Sequence, residues 1–404
     1  MTDQQQAPAT IIDAAPHDAG LELCQRDKTP PDRREFLRLC AIPCAVACAS
    51  ACLPSSSEAS LPWVAGEAEG VEAGFYRKLG ANVVECGLCP RQCVVGDGGR
   101  GYCNVRENRR GTYYTLAHSQ ICAAHIDPIE KKPFFHFRPG TTAFSVSTGG
   151  CNVNCKFCQN WEIAQVALEK LQRQRATPRD LARAAAEHQC PNLAFTYSEP
   201  IIATEYYLEA AEAGHAQGIR SVFVSNGFVR PEPLQRLCDR MDAIKIDLKG
   251  FTDKYYREVV NAELRPVMDT LLAIRKRGVW SEIVYLVVPT LNDGDADLRA
   301  MARWVRAELG ADMPLHFSRF FPQYRLRNLP PTPLETLERA KSISDAEGLR
   351  YVYIGNVPGH PAENTYCPKC RRVVVERVGL MTRKVQLKDG RCQFCQQPIP
   401  GVWT

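Results

Sequence analysis

The chain has 404 residues, 45% of them apolar, so one large domain with smaller appendages fits better than several equal domains. Its 50 basic and 45 acidic side chains give a net charge of +5, and no basic run carries interleaved aromatics, so a nucleic-acid partner is not expected. No stretch of about 20 apolar residues is present, so no transmembrane span is expected either.

Residues 1–53 are predicted to be a disordered n-region followed by an export signal. The segment Asp32-Arg-Arg-Glu-Phe-Leu-Arg38 precedes the mildly apolar stretch 39–53, and this order resembles a twin-arginine signal. It suggests export or membrane association, and the alternative is a basic amphipathic tail on a cytoplasmic protein. Residues 54–74 are rich in Ser, Ala, Gly and Glu without any period, so they are predicted to be a linker.

A Cys-rich segment follows at residues 75–140. The chain has 19 cysteines, and closely spaced pairs in a chain of this size are typical of metal sites rather than of a disulfide framework. The N-terminal cysteine set comprises Cys86, Cys89, Cys93 and Cys103. Four thiolates on a turn-rich segment suffice for a structural zinc or a second iron–sulfur cluster, with a structural metal slightly favoured. Reduced, unligated cysteines are the alternative.

Residues 141–358 show apolar strands that alternate with amphipathic helices. This order predicts an α/β fold with parallel βα units, and six strands suggest a partial (βα)6 TIM-like barrel rather than a closed one of eight. The predicted strands are Ala143–Ser147, Leu193–Tyr197, Ser221–Val224, Ala243–Leu248, Ile283–Val288 and Leu315–Phe320. Functional residues of such folds collect at the carboxyl ends of the strands.

The loop after the first predicted strand carries Cys151, Cys155 and Cys158. Thiolates with this spacing can bind three irons of a cubic four-iron cluster and leave the fourth iron open for a substrate. A zinc site would usually need a fourth Cys or His nearby, and none follows in the loop. Three ordinary core cysteines are the alternative, but the glycines and polar residues around them make a core element a poor fit.

This Cys-x3-Cys-x-aromatic-Cys loop, with Phe157 before its last cysteine, resembles the cluster loop of radical S-adenosylmethionine enzymes. The resemblance implies that the open iron of a 4Fe–4S cluster chelates S-adenosylmethionine. The reduced cluster then cleaves it to a 5′-deoxyadenosyl radical, which abstracts a hydrogen atom from a substrate. It also implies the partial-barrel architecture and a low-potential electron donor, with Gln159 to Trp161 closing over the cofactor.

Six further residues are predicted to hold the cofactor: Glu199, Ser225, Asn226, Asp247, Gly355 and Asn356. By resemblance, Glu199 accepts from the methionine amine, and the Gly355 segment packs on adenine. Ser225 and Asn226 are suited to bind ribose hydroxyls. Asp247 lies with Lys245 on a buried strand, so a position facing a cavity and a structural ion pair are equal alternatives.

A substrate region is predicted from polar residues on the later strands: Glu282, His316, Arg319 and Gln323. The alternative for a histidine on a strand is a hydrogen-bonded core group without a catalytic role. No motif in the chain assigns a catalytic acid, base or nucleophile.

Residues 359–404 are predicted to form a zinc-ribbon-like segment. Two Cys-x2-Cys pairs flank a stretch that alternates like a β-hairpin, and zinc is the favoured ligand. These four residues are the ribbon cysteine set: Cys367, Cys370, Cys392 and Cys395. The predicted role is structural or the docking of a partner.

Residues 75–404 as a whole resemble the radical S-adenosylmethionine enzymes of the AmmeMemoRadiSam system. The matching motifs are Cys-x2-Cys-Pro-x2-Cys at 86–93, Asp127-Pro-Ile-Glu-Lys-Lys-Pro-Phe-Phe-His-Phe137, Gln159-Asn-Trp-Glu162, Val357-Pro-Gly-His360 and Glu363-Asn-Thr-Tyr-Cys367. Those enzymes are similar to pyruvate formate-lyase activating enzymes, which raise a glycyl radical on a protein.

The resemblance therefore implies a protein or peptide substrate such as a Memo-type or AMMECR-type protein. Three alternatives remain: a glycyl-radical-enzyme activase, a non-catalytic exported metal-binding scaffold, and a radical methyltransferase acting on RNA. The last would need a basic groove, which the modest net charge does not support.

Overall fold

The computed structural model describes residues 69–404. The predicted export signal in residues 1–53 lies outside the described residues, as does most of the predicted linker. Within the described part, no helix is both long and apolar enough to cross a bilayer.

The Cys-rich segment folds into two small antiparallel sheets of three strands each. Their orders are β1-β6-β5 and β2-β3-β4, so chain neighbours pair locally except for β1. The strands are β1 (Val71–Glu72), β2 (Tyr76–Gly80), β3 (Val83–Cys86), β4 (Val94–Val95), β5 (Arg106–Arg109) and β6 (Thr112–Thr115). Strand β1 lies within the predicted linker, residues 54–74. Its backbone pairs with β6, so this part of the predicted linker belongs to a sheet.

A nine-stranded sheet follows, with the order β15-β14-β13-β12-β11-β10-β8-β7-β9. Its strands are β7 (Gln120–Pro128), β8 (Thr142–Thr148), β9 (Gln174–Arg175), β10 (Asn192–Phe195), β11 (Arg220–Ser225), β12 (Ala243–Asp247), β13 (Trp280–Val287), β14 (Leu315–Arg319) and β15 (Val352–Gly355). Strands β8 and β10 to β15 are parallel, whereas β7 and β9 run antiparallel at one edge. The predicted partial barrel is confirmed, with β15 as a seventh parallel strand beyond the six predicted.

Helices cover the parallel strands, which are buried on both faces as parallel strands usually are. The helices are α1 (Trp161–Ala164), α2 (Pro178–Glu187), α3 (Thr204–His215), α4 (Pro231–Cys238), α5 (Asp253–Tyr255), α6 (Leu264–Arg277), α7 (Asp295–Trp304) and α8 (Leu334–Ala346). Single π-helical turns extend α5 and α7 at Tyr256–Val260 and Val305–Leu309. The predicted start of α2 is confirmed, because Thr177 and Asp180 form a capping box around Pro178.

Short 3-10 turns complete the helical elements at Ile129–Lys131, Leu168–Lys170, Pro200–Ala203 and Pro361–Glu363.

The C-terminal segment forms an antiparallel sheet, β16-β17-β18, and a small hairpin, β19-β20. These strands are β16 (Thr365–Tyr366), β17 (Val373–Val378), β18 (Met381–Val385), β19 (Leu387–Lys388) and β20 (Arg391–Cys392). The segment packs on residues 135–138: the Arg377 guanidinium donates to the Phe135 carbonyl at 2.6 Å, and the Val402 amide donates to the His136 carbonyl at 2.7 Å. The ribbon thus covers one end of the barrel.

Candidate functional site

The cluster loop, residues 151–158, begins directly after the carboxyl end of β8. Gly149 and Gly150 make the turn, and Gly150 has a φ of +100°, which a residue with a side chain adopts only with strain. Cys155 is buried, whereas Cys151 and Cys158 are half-buried. The Cys158 amide donates to the Cys155 carbonyl at 3.1 Å, so these two thiols lie on one tight turn.

The spacing of the thiols indicates what the cluster loop can hold. Zinc with Zn–S bonds of about 2.3 Å would bring tetrahedral thiolates to about 3.8 Å from one another. Within residues 69–404, the ribbon cysteine set is the group whose ligand atoms all lie within 4.8 Å, and the cluster loop does not form such a group. Three thiols without this single-ion spacing can instead hold three irons of a four-iron cluster.

Hydrogen bonds hold the cluster loop from several sides. The Asn152 side chain donates to the Phe228 carbonyl at 2.7 Å, and its own oxygen accepts from Asn226 Nδ2 at 2.9 Å. The Asn154 and Lys156 amides donate to the Val260 and Val259 carbonyls at 3.2 and 2.9 Å. These partners belong to two segments, the residues that follow β11 and the π-helical turn Tyr256–Val260, so the cluster loop is held at both.

The structure brings Glu199, Ser225 and Asn226 together at the ends of β10 and β11. The buried Glu199 carboxylate accepts from the Ser225 hydroxyl at 2.8 Å and from the Asn226 amide at 2.7 Å. It also accepts from the Ile201 amide at 3.1 Å. Burial raises the pKa of Glu199 to about 7, although the three donors lower it. Most of its acceptor capacity is therefore used inside the protein.

Asn226 brings this group to the cluster loop. Its Nδ2 atom lies 4.0 Å from the Cys151 sulfur, while the same amide donates to Asn152. The structure therefore places Asn226, which was predicted to bind the ribose hydroxyls, beside the cluster loop. The further step, in which Glu199 binds the methionine amine, has to compete with the donors that already occupy the carboxylate.

Asp247 at the end of β12 lies between two lysines. It pairs with Lys245 and, at 2.8 Å, with Lys249. Burial alone would raise the pKa of Asp247, but the two ammonium groups lower it to about 2. Lys249 in turn acts electrostatically on the Cys155 thiol. The structure thus contains the ion pair that sequence reasoning left as one alternative, and it places that pair beside the cluster loop.

Gly355 and Asn356 lie at the carboxyl end of β15, the strand beyond the six predicted. Asn356 has a φ of +60°, and its side chain donates to the Ser318 hydroxyl at 2.9 Å. This contact joins the ends of β14 and β15. In the described residues, no hydrogen bond links Asn356 to Glu199 or Ser225.

The segment Gln159 to Trp161 is held over the barrel mouth. The Asn160 side chain donates to the Tyr197 carbonyl at 2.7 Å, and the Trp161 ring stacks on Tyr324 with centroids 5.4 Å apart. Gln323, predicted for the substrate region, donates to the Gln159 carbonyl at 3.3 Å. Gln323 therefore does lie beside the cluster loop.

No role was predicted for the group formed by the buried Asp127 and Lys132 and the half-buried Tyr197. The Lys132 ammonium lies 2.5 Å from Asp127 and 4.2 Å from the centre of the Tyr197 ring, and the Tyr197 hydroxyl donates to Asp127. Burial lowers the pKa of Lys132 to about 8. The sequence Asp127-Pro-Ile-Glu-Lys-Lys132 places Asp127 close to Lys132 and so indicates an ion pair. Their partner Tyr197 lies 65 residues beyond Lys132 (197 − 132), so the local sequence does not indicate its part in the group.

The prediction that Glu282 and His316 line the substrate region is wrong. Glu282 accepts from the Phe135 and His136 amides at 3.0 and 2.8 Å and from the His316 ring at 2.7 Å. Both residues sit near the amino ends of their strands, against the C-terminal segment. Arg319 lies at the carboxyl end of β14, where its Nε donates to the Thr332 carbonyl at 2.8 Å.

A cleft of about 770 Å³ lies beside the cluster loop. Its lining residues are Pro90, Arg91, Phe228, Asp253, Arg257, Asn261, Ala262, Glu263 and Arg265. Phe228 and Arg91 also contact the loop, because the Phe228 carbonyl accepts from Asn152 and Arg91 Nε donates to the Asn152 carbonyl at 2.5 Å. Arg91 was not among the predicted site residues.

The ribbon cysteine set forms a second candidate metal centre at the opposite end of the barrel. The Cys367 and Cys395 sulfurs are 3.5 Å apart, and those of Cys370 and Cys392 are 3.7 Å apart. These separations match tetrahedral coordination of one ion, about 3.8 Å for zinc thiolates. The backbone amide of Arg372 lowers the pKa of the Cys370 thiol to about 7.

Comparison with known proteins agrees with the geometry. Residues 145–305 match the model described as "Radical SAM superfamily". Protein MJ0808 of Methanocaldococcus jannaschii is 43% identical over 333 residues, which are 82% of this chain and 99% of that protein. The pyruvate formate-lyase 1-activating enzyme of Escherichia coli K12 is 23% identical over 222 residues, covering 50% of this chain and 89% of that enzyme.

Among solved structures, a radical SAM methyltransferase from Sphaerobacter thermophilus has a TM-score of 0.44 and 18% identity. The match covers 55% of this chain and 68% of that one.

Proposed function

Because the chain belongs to the radical S-adenosylmethionine superfamily, we propose that it generates a radical on a protein or peptide partner. The family implies a 4Fe–4S cluster and S-adenosylmethionine, and the cluster loop has the thiols to hold the former. When bound, these groups supply a 5′-deoxyadenosyl radical that abstracts hydrogen. The similarity to pyruvate formate-lyase activating enzymes supports a partner of the same kind.

The protein's own residues position and shield this chemistry. Glu199 fixes the turn of Ser225 and Asn226, and Asn226 in turn fixes Asn152 in the cluster loop. Trp161 and its stacking partner Tyr324 cover the loop from the other side. Such fixed contacts hold reacting groups in one geometry and limit the entry of water, which a reactive radical requires.

The cleft beside the cluster loop is the observation that carries the proposal. A small-molecule site is usually an enclosed and mostly apolar cavity. This cleft instead has exposed charged side chains of both signs, among them Asp253, Arg257 and Arg265, around the apolar Phe228. An extended peptide with mixed side chains fits such a surface, and Phe228 joins the cleft to the cluster loop through Asn152.

The test is anaerobic reconstitution with dithionite and S-adenosylmethionine, in the presence of candidate partners that include Memo-type and AMMECR-type proteins. A partner deuterated at its α-carbons should pass label to 5′-deoxyadenosine. Arg257→Glu should slow label transfer roughly tenfold while cleavage without partner persists, and Arg236→Glu on α4, which is exposed and outside the cleft, should not. Label in 5′-deoxyadenosine from small metabolites but from no protein would contradict the proposal.

We also propose that the ribbon cysteine set binds zinc with a structural role. The four sulfurs have single-ion spacing, and the segment packs where the strands begin, away from the cluster loop. In barrels of this type, residues at the amino ends of the strands usually serve stability.

Finally, we propose that the segment around Arg33 and Arg34 directs export of the folded protein. Double substitution of both arginines by lysine, followed by cell fractionation, tests this. An unchanged distribution of the full chain would contradict it.

A further inference from the structure

We propose that the N-terminal cysteine set holds a second four-iron cluster, which passes single electrons to the metal bound by the cluster loop. This inference rests on the radical chemistry of the family and is independent of whether the substrate is a peptide.

The four thiols of the set are gathered by short backbone contacts. The Cys86 amide donates to the Cys93 carbonyl at 2.9 Å, and the Gln92 amide donates to the Cys89 carbonyl at 3.1 Å. The amide of Tyr102, which precedes the fourth cysteine, lies 3.4 Å from the Cys93 sulfur. Amide donors to sulfur are among the contacts that tune iron–sulfur clusters.

The spacing of the sulfurs distinguishes the N-terminal cysteine set from a site for a single metal ion. The ribbon cysteine set has all its sulfurs within 4.8 Å, as one zinc ion requires. In residues 69–404, neither the N-terminal cysteine set nor the cluster loop forms a group this tight. The N-terminal set therefore does not have the single-ion spacing of the ribbon cysteine set.

The surroundings of the set suit a low-potential cluster. Cys86 and Cys89 are only 6% and 7% exposed. Cys86 belongs to an apolar core that includes Val84, Leu88, Val95, Val105 and Tyr113, and Cys93 and Cys103 pack against this core. The buried guanidinium of Arg106 is paired with Glu205 at 2.5 Å. Burial in an apolar shell disfavours the extra negative charge of the reduced state.

Two contacts place this set directly against the cluster loop. The Cys103 carbonyl oxygen lies 2.8 Å from the point that a Cβ on Gly150 would occupy, so the two backbones touch. Gly150 immediately precedes Cys151. On the other side, Arg91, which lies between Cys89 and Cys93, donates to the Asn152 carbonyl at 2.5 Å. The residues before and after Cys151 are therefore both contacted by the N-terminal segment.

The electron step is balanced with one external reductant. A low-potential protein of the ferredoxin or flavodoxin class loses one electron, and the second cluster gains it. The second cluster is reoxidised when the same electron reduces the metal at the cluster loop. No proton or covalent bond is involved.

The first test counts metals in anaerobically reconstituted full-length protein. The double variant Cys89→Ala/Cys93→Ala should lower iron from about eight to about four atoms per chain, because the two thiols that remain in the set hold a four-iron cluster far less well than four. Zinc should not change, and Cys190→Ala, which removes a buried thiol outside all three sets, should leave both metals unchanged. Should the double variant fail to accumulate, Cys93→Ala/Cys103→Ala is measured in its place. Unchanged iron, with or without a loss of zinc, would overturn the second cluster.

The second test compares electron sources in the same variant. The yield of 5′-deoxyadenosine with reduced flavodoxin, divided by that with dithionite, should fall roughly tenfold, because only the protein donor depends on the relay. An unchanged ratio in a variant that has lost iron would overturn the relay. If instead the proposal of a peptide substrate is wrong, the protein should contain both clusters but transfer no label from a deuterated partner to 5′-deoxyadenosine.

Discussion

The Glu199 carboxylate accepts a 2.8 Å hydrogen bond from the Ser225 hydroxyl, and this contact joins the ends of β10 and β11. The same carboxylate accepts from the Asn226 amide, and the Asn226 side chain donates to Asn152 at 2.9 Å. Glu199 therefore acts on the cluster loop through Asn226, without contacting a cysteine itself. The buried Glu199 carboxylate is therefore a positioning group, because it fixes Asn226, which in turn holds the cluster loop.

Glu199→Ala should weaken this network more than Ser225→Ala does. The first change leaves three buried donors without an acceptor, at a cost of roughly 1–3 kcal/mol each. The second removes one bond to the carboxylate and leaves one buried donor unpaired, the Gly227 amide that donates to the Ser225 hydroxyl at 2.9 Å. Affinity for S-adenosylmethionine and the urea midpoint should both fall, in the order wild type, Ser225→Ala, Glu199→Ala. Equilibrium dialysis and urea titration measure this. Equal values for the two variants would show that the carboxylate does not organise the loop.

Cys155→Ala should remove the metal at the cluster loop, because two thiols of the loop hold a cubic cluster far less well than three. Iron should fall by about four atoms per chain, and 5′-deoxyadenosine should fall to background under dithionite. Cys238→Ala is the matched control, since Cys238 is a buried thiol on α4 outside the loop. Undiminished cleavage in Cys155→Ala would remove the loop from the mechanism.

The sequence was most informative where local pattern decides structure. The predicted strand Ile283–Val288 lies within one apolar run, and a parallel strand buried on both faces has such a run. The observed strand begins three residues earlier, at Trp280, so Glu282 lies near its amino end. The alternation of apolar and polar residues indicates which face of the sheet a side chain lies on. Whether that side chain lies near the amino or the carboxyl end of the barrel depends on the residue at which the strand begins.

Contacts between residues far apart in the chain could not be predicted from local sequence patterns. Asp127 meets Tyr197 across 70 residues, and Arg91 meets Asn152 across 61. Nothing in the spacing of such residues shows that they touch, because tertiary packing alone brings them together. The cysteine sets were visible because the ligands of one metal recur within a short segment.

Cys370→Ser should lower zinc by about one ion per chain while iron stays unchanged. Since the segment buries Arg377 against the Phe135 carbonyl, loss of the metal should also lower the melting temperature. Metal analysis and calorimetry measure both effects, and Cys122→Ser, a half-buried thiol outside the three sets, is the control. A variant that keeps its zinc would contradict the assignment.

His136 should make the stability of the protein depend on mild acid. Its neutral ring fits the observed contacts: Nδ1–H donates to the Pro400 carbonyl at 2.6 Å, and Nε2 accepts from the Tyr353 hydroxyl at 2.5 Å. Burial lowers the pKa of His136 to about 4, against about 6.5 in an unfolded chain. Between these two values the unfolded state binds a proton that the folded state does not.

Stability should therefore fall as pH drops from about 6.5 to about 4, with a slope of at most about 1.4 kcal/mol per pH unit from this group. His136→Gln keeps a donor and an acceptor but cannot titrate, so its urea midpoint should depend less on pH in this window. His188→Gln, on the exposed end of α2, should keep the wild-type slope. Identical pH profiles for wild type and His136→Gln would mean that the His136 ring accepts a proton within the fold. The Tyr353 hydroxyl would then have to turn and accept from Nε2, since both ring nitrogens of a protonated histidine donate.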